Sequence, residues 1–95
     1  MNTPVPPSQR LDKWLWHARM VRTRTSAAAL VEAGHVRVNG ARVTSSGHLV
    51  RRGDALTLAL DRSVRVVSVE GFCERRGGPQ QARELYRNLA AERAV

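Results

Sequence analysis

The chain has 95 residues, of which 42% are hydrophobic, and this apolar share suits one small globular domain while excluding a disordered chain. Lysine and arginine number 16 against 8 acidic residues, which gives a net charge of +8. A positive charge of that size favours a polyanionic partner.

The positive charge lies almost entirely in the first half of the chain. Residues 1–52 hold nine basic and two acidic side chains, for a net charge of +7, whereas residues 53–95 hold seven and six, for +1. Fifteen of the 16 basic residues are arginine. The planar donor fork of arginine suits phosphate oxygens, although codon bias in a GC-rich genome also explains the arginine excess. Codon bias does not explain the clustering, so we expect the binding surface in residues 1–52.

Several other classes of protein are excluded. No apolar run approaches the roughly 18 residues of a membrane span, and no charged-then-apolar signal segment opens the chain. Cys73 is the one cysteine, so no disulfide can form within the chain, and we expect a cytoplasmic protein with no membrane partner. Residues 1–9, with three prolines, are predicted to form a flexible arm.

A first helix is predicted from Ser8 or Gln9 to Met20, with Ser8 as its N-cap. Its apolar residues follow the i, i+3, i+4, i+7 spacing of a buried helical stripe: Leu11, Trp14, Leu15 and Ala18. Asp12 is expected to pair with a nearby arginine, because a carboxylate would repel a polyanion.

A second helix is predicted from Arg24 or Thr25 to Ala33. Thr23 is its expected N-cap, and Gly34 suits the left-handed conformation that ends many helices.

A hairpin and further strands follow. Apolar residues alternate in 35–38 and 41–44 around Asn39-Gly40, which is the strongest short hairpin signal. Strands are also predicted at 56–60 and 64–69, the latter with a bulge between Val66 and Val67. Pro79 suits the first turn of a last helix, whose apolar stripe is Ala82, Leu85, Tyr86, Leu89 and Ala90. The expected fold class is α+β: two N-terminal helices packed on a small, mostly antiparallel sheet, with a C-terminal helix. The residues expected to be buried in its core are Leu11, Trp14, Leu15, Leu30, Val31, Val36, Val38, Leu56 and Leu58.

Short signatures along the chain resemble the S-four RNA-binding domain, a helix–helix–hairpin module also called the αL module. In order, they are Arg10-Leu11-Asp12-Lys13, Thr23-Arg24, Gly34, Val36-Arg37-Val38-Asn39-Gly40 and Gly53-Asp54. The string from Arg10 to Arg19, with its two tryptophans, resembles one branch of that family, the bacterial heat-shock protein fifteen group. Glu74-Arg75-Arg76 and Leu85-Tyr86 resemble the same group.

The resemblance implies a function in RNA binding. Members of the family bind structured RNA through the helix pair and the adjacent hairpin edge. The heat-shock branch binds the large ribosomal subunit, especially when a stalled nascent chain on tRNA is still attached, and acts in rescue or recycling of such subunits. The implied organisation is a binding domain at 10–69, with a loop and a helix at 70–95 packed on it. Relatives commonly continue into a longer basic tail, so a ribosome contact through such a tail is left open here.

Seven basic residues are the candidate phosphate contacts: Arg10, Lys13, Arg19, Arg22, Arg24, Arg37 and Arg42. Several cations on one rigid surface are needed, because each phosphate contact alone is weak in water. The alternative for each is a solvated surface charge. That alternative is strongest for Arg42, since hairpin strands often carry an exposed arginine.

Four further residues complete the candidate RNA-binding set: Thr23, Ser26, Asn39 and Gly40. The two hydroxyls could donate hydrogen bonds to phosphate, although Thr23 also suits the helix cap, and Asn39-Gly40 is first of all a turn. Trp16 lies outside the apolar stripe of its helix. It either packs against the C-terminal helix or stacks on an unpaired nucleotide.

No catalytic or metal-binding constellation accompanies these residues. His17, His35, His48 and Cys73 lack metal-ligand spacing, and there is no Ser–His–acid set or phosphate-binding glycine loop. We therefore expect a non-enzymatic protein without a cofactor. The resemblance implies that it binds ribosomal RNA on the large subunit and the tRNA of a stalled nascent chain, and we expect it to be a monomer. Two alternatives stay open: a general DNA- and RNA-binding protein, and the targeting module of an RNA-modifying enzyme.

Overall fold

Two antiparallel sheets and three short helices make up the structure, a computed structural model that describes residues 7–89. In chain order the elements are β1 (Ser8–Arg10), α1 (Leu11–His17), α2 (Arg24–Glu32), β2 (Val36–Val38), β3 (Ala41–Val43), β4 (Leu49–Arg51), β5 (Ala55–Ala59), β6 (Val64–Val69), α3 (Pro79–Arg83) and β7 (Tyr86–Asn88). Strands β1 and β4 form one sheet, and the other has the order β3-β2-β5-β6-β7. The α+β prediction is confirmed.

The first helix is shorter than predicted at both ends. Ser8 is not its cap, because residues 8–10 form β1 and pair with β4. The backbone carbonyls of Ser46 and His48 instead accept hydrogen bonds from the first amides of α1, at 3.1 and 2.8 Å. The helix ends at His17 rather than Met20, since Arg19 has a φ of 60°, which α-helical geometry does not allow. Ser8 and Gln9 therefore belong to the fold, whereas residues 1–6 of the predicted arm lie outside the described residues.

The second helix and the hairpin confirm the prediction closely. The Thr23 hydroxyl caps α2 by accepting a hydrogen bond from the Ser26 amide at 2.9 Å. Gly34 ends the helix with a φ of 85°, a conformation that glycine adopts without steric cost. At the hairpin tip Asn39 and Gly40 have φ of 52° and 88°, as a two-residue turn of the favoured handedness requires.

One apolar core lies between the helix pair and the inner face of the five-stranded sheet. Leu30 was predicted to be buried and is only partly so, because it borders an open groove beside Met20 and Leu60. The other predicted core residues are buried: Leu11, Trp14, Leu15, Val31, Val36, Val38, Leu56 and Leu58. Within the described strands the β5–β6 register runs unbroken, so the predicted bulge is wrong. Val64 and Val66 simply face away from the core on the sheet's outer side.

The C-terminal segment is where the prediction departs most from the structure. Helix α3 has five residues and begins at Pro79, as expected, but Tyr86–Asn88 is a strand that pairs with β6. The free edge of β6 would otherwise leave backbone amides and carbonyls unpaired, and pairing with β7 satisfies them. Arg65 reinforces the pairing, with its guanidinium 5.2 Å from the centre of the Tyr86 ring and 2.7 Å from Asn88 Oδ1. Ala90 and the rest of the predicted helix lie outside the described residues.

Candidate nucleic-acid interface

A buried carboxylate organises the basic residues of the helix pair. The Asp12 side chain is 5% exposed and accepts two hydrogen bonds from the Arg10 guanidinium, at 2.9 and 3.1 Å. It accepts a third from the Lys13 amide at 2.7 Å, and Arg24 Nη2 on α2 lies 3.8 Å away. The expectation that Asp12 pairs with a local arginine is confirmed. We refer to Arg10, Lys13 and Arg24, gathered around Asp12, as the helix-pair cluster.

Asp12 and Arg10 each stabilise the charged form of the other. Burial acts to raise the pKa of the Asp12 carboxyl, but the hydrogen bonds from Arg10 and from the Lys13 backbone, with the charges of Arg10 and Arg24, hold it below its ordinary value. The hydrogen bond to Asp12 also raises the pKa of Arg10. The side chains of Arg10 and Arg24 remain 50% and 44% exposed. Two hydrogen bonds therefore hold the Arg10 guanidinium against Asp12, Arg24 lies within ion-pair distance of the same carboxylate, and both side chains stay accessible to an anion.

A buried histidine lies close to the cluster. His17 is 2% exposed, and its Nδ1 has no hydrogen-bond partner among residues 7–89. Burial lowers the pKa of the imidazole, and the positive charges of Lys13, Arg24 and Arg76 lower it further, whereas a hydrogen bond with the Cys73 backbone acts in the opposite direction. Arg76 lies at the end of α1, where its Nε donates a hydrogen bond to the Trp16 carbonyl at 2.9 Å. Sequence reasoning did not select Arg76, since it falls in the half of the chain whose charges nearly cancel.

The hydroxyl candidates lie at the start of α2. Thr23 Oγ1 accepts from the Ser26 amide and donates to Ser26 Oγ, both at 2.9 Å. Both residues are exposed beside Arg24. Thr23 therefore acts as a cap, and contact of these hydroxyls with phosphate stays a prediction.

The hairpin arginines form a separate group. Arg37 and Arg42 lie directly opposite each other across β2 and β3. They are on the outer face of the sheet, because their neighbours Val36 and Val38 are buried on the inner face that meets the helices. Like charges placed directly opposite each other destabilise a strand pair, and bound anions would relieve that repulsion. The structure thus divides the predicted basic platform into a helix-pair cluster and a hairpin pair.

Two of the other candidates make contacts within the fold, and a third borders a groove. Arg19 donates two hydrogen bonds to the Gly77 carbonyl, at 2.9 and 3.2 Å, and so fastens the loop before α3. Asn39 donates to Asp54 Oδ1 at 3.1 Å and accepts from the Ala55 amide at 2.9 Å. Arg22 borders the open groove beside Leu30. These contacts favour structural roles for Arg19 and Asn39, and their binding to RNA stays a prediction.

The last candidate is Gly40, and Trp16 was predicted either to pack against the C-terminal helix or to stack on a nucleotide. Gly40 serves the hairpin turn, and its carbonyl accepts a hydrogen bond from Arg37 at 3.2 Å. Trp16 is half-buried, and the guanidinium of Arg76, in the loop before α3, lies over its ring, 5.4 Å from the ring centre.

Residues 7–89 contain neither a metal-binding group of side chains nor a membrane-spanning helix. No three His, Cys, Asp or Glu side chains within residues 7–89 are grouped so that they could hold a metal ion. None of the helices in this part of the chain has the length and apolar character to cross a membrane.

Comparison with known proteins identifies the family. The S4 domain profile matches residues 9–56. Heat shock protein 15 of Escherichia coli K12 is 40% identical over 81 residues, which are 85% of this chain and 60% of that protein. The RQC P-site tRNA stabilizing factor of Listeria innocua is 33% identical over 86 residues, covering 90% of this chain and 91% of that one.

A solved structure agrees with these relatives. The heat shock protein 15 of Vibrio cholerae, described as trimeric, superimposes with a TM-score of 0.82 at 37% identity, over 88% of this chain and 84% of that one. The chain spans about 60% of the length of the Escherichia coli relative. It belongs to the S4 domain family and, within it, to the heat shock protein 15 group.

Proposed function

We propose that this chain is a non-enzymatic RNA-binding protein of the cytoplasm that binds structured ribosomal RNA on the large ribosomal subunit. Its role would be the rescue or recycling of stalled subunits that carry nascent chain–tRNA during heat stress. The observation that carries the RNA-binding proposal is the helix-pair cluster, in which the Asp12 carboxylate holds Arg10 and Arg24 in place.

The physical argument rests on fixed, accessible cations. Free arginine side chains lose rotamer freedom when they bind an anion, but Arg10 is already held by a two-point contact with Asp12. Guanidinium groups match the geometry of phosphate oxygens. The net charge of +7 over residues 1–52 adds a long-range attraction for any polyanion. The surface therefore suits recognition of an RNA backbone by its shape.

The ribosomal part of the proposal is supported by the relatives. One is named a P-site tRNA stabilizing factor, and others are heat shock proteins. The tRNA of a stalled nascent chain is thus a second proposed partner. Contacts made by the remaining 40% of the Escherichia coli relative, beyond the 60% matched here, are not attributed to this chain.

Binding to purified particles tests this proposal. Large subunits carrying peptidyl-tRNA should bind the chain more tightly than empty large subunits, and both more tightly than small subunits. Random RNA and DNA duplexes should compete poorly. If duplexes competed as well as ribosomal subunits, the protein would be a general nucleic-acid binder instead.

We further propose that the chain binds as a monomer, because Arg10, Lys13, Arg24 and Asp12 all come from one copy. Sedimentation of the free and the ribosome-bound protein distinguishes this from the trimer described for the Vibrio cholerae relative.

A further inference from the structure

Trp16 and Arg76 form a contact that joins α1 to the loop before α3. The Arg76 guanidinium lies over the indole ring, 5.4 Å from its centre. Its Nε donates a hydrogen bond to the Trp16 carbonyl at 2.9 Å. The contact thus combines a cation–π interaction with a backbone hydrogen bond near the end of the helix.

This contact borders the helix-pair cluster. Trp16 follows Lys13 by three residues on α1, so the two side chains are neighbours on the helix surface. The charge of Arg76 acts on the buried His17 together with those of Lys13 and Arg24. An RNA backbone bound at the cluster would therefore pass close to the Trp16–Arg76 contact.

The Trp16–Arg76 contact leaves part of the ring exposed and, in the part of the chain that the structure describes, some Arg76 donors unpaired, which a purely structural contact would not require. The buried tryptophan of the same helix, Trp14, is 0% exposed and donates its indole N–H to the Gly71 carbonyl at 2.9 Å. Trp16 is only half-buried. Among residues 7–89 the Arg76 terminal nitrogens have no hydrogen-bond partner, and Arg19 already fastens the same loop through Gly77. An aromatic ring and a guanidinium with free donors remain partly accessible beside a phosphate-binding surface.

We propose that Trp16 and Arg76 form a stacking site for one unpaired nucleobase of the bound RNA. Aromatic rings and guanidinium planes both stack on bases that are not paired. Every base has such a face, so the site would accept any of the four. This inference rests on the proposed function and deepens it: the protein prefers an RNA helix interrupted by an unpaired nucleotide over an uninterrupted duplex.

Two RNA hairpins test the proposal. They have the same stem and loop, and one carries a single bulged nucleotide. Affinity is measured by fluorescence anisotropy of labelled RNA with the wild-type chain, Arg76→Lys and Trp16→Leu. Arg76→Lys keeps the charge and removes the planar group, whereas Trp16→Leu keeps apolar volume and removes the aromatic face. Arg75→Lys is the matched control, because Arg75 is the exposed neighbour and has no polar contact within the described residues.

The wild-type chain should bind the bulged hairpin about tenfold more tightly, which is typical of one stacked base. Arg76→Lys and Trp16→Leu should lose this preference while binding the uninterrupted hairpin as before, and Arg75→Lys should keep it. Thermal melting identifies a variant that fails to fold, and Arg76→Lys carries the test if Trp16→Leu does so.

Two results would overturn the stacking site. In one, Arg76→Lys binds both hairpins with unchanged affinity, or its affinity for the two hairpins falls by the same factor. In the other, the wild-type chain shows no preference between them. The proposed function would survive either result, since RNA binding itself would be intact. A wild-type chain that bound neither hairpin nor ribosomal subunits would instead contradict the proposed function.

Discussion

The carboxylate of Asp12 and the guanidinium of Arg24 lie 3.8 Å apart and connect the first turn of α1 to the first turn of α2. The same carboxylate binds Arg10, which directly precedes α1. The buried Asp12 carboxylate thereby lies between two arginines that come from different parts of the chain. Without its negative charge, Arg10 and Arg24 would repel each other. The acidic residue in a basic motif thus has a physical role, although it is not expected to contact RNA.

Replacing Asp12 with asparagine tests that role. The net charge would rise from +8 to +9, yet we expect RNA affinity to fall by about threefold to tenfold, because Arg10 and Arg24 lose the charge that holds them. Asp61→Asn is the matched control: it makes the same change in charge at an exposed turn residue and should leave affinity unchanged or slightly higher. Equal tightening by both variants, measured as dissociation constants for a ribosomal RNA fragment, would show that only net charge matters.

Asn39→Ala tests the structural role of the hairpin turn. The change removes the hydrogen bonds to Asp54 and Ala55 and places alanine at a φ of 52°. Urea unfolding should show a loss of about 2 kcal/mol in the free energy of unfolding. Asn39→Gly should lose less, because glycine tolerates the positive φ. If Asn39 acts only in the turn, the RNA affinity of the folded variant is unchanged, whereas a large loss of affinity without loss of stability would make Asn39 an RNA contact.

His17 predicts a pH dependence of stability. Its pKa is lowered in the folded protein by burial and by the charges of Lys13, Arg24 and Arg76, whereas in the unfolded chain it is about 6.5. As the pH falls through that value, the unfolded chain takes up a proton that the folded protein does not, so the free energy of unfolding falls.

Urea unfolding at a series of pH values from about 7.5 down to 5.5 measures this effect. His17→Phe, which keeps an aromatic ring in the site, should flatten the decrease, and the exposed His48→Gln should retain it. An equally steep decrease in His17→Phe would place the titrating group elsewhere.

Local signals explain which parts of the fold could be predicted from the sequence. The Thr23 cap, the glycine at position 34 and the Asn39-Gly40 turn each act within a few residues. The pairing of Asp12 with Arg10 is equally local, since the two are two residues apart. These features were predicted correctly because propensity and turn chemistry decide them.

Long-range pairing explains the rest. Ser8 has the chemistry of a helix cap, but it pairs with Arg51 in β4. Tyr86 and Leu89 fit the apolar stripe of a helix, yet residues 86–88 pair with the edge of β6 and form β7. Arg76 reaches Trp16 from 60 residues away, a distance at which periodicity carries no information. Tertiary contacts override local preference at each of these positions.

The claim that the helix-pair cluster is the RNA-binding surface is tested most directly by charge reversal. Arg10, Lys13 and Arg24 are changed together to glutamate, and a control variant carries the same change at Arg52, Arg62 and Arg83, which are exposed on two turns and α3. Each triple variant lowers the net charge by six, from +8 to +2, so the long-range field is matched. Circular dichroism and thermal melting first establish that both are folded.

The measurement is the dissociation constant for large ribosomal subunits over a range of salt concentrations. The account predicts that reversal of the cluster weakens binding on the order of a hundredfold more than reversal of the control set. It also predicts that the slope of log affinity against log salt becomes shallower by roughly two to three, about 0.7–0.9 for each lost phosphate contact. Equal losses in the two variants, or a larger loss in the control variant, would contradict it.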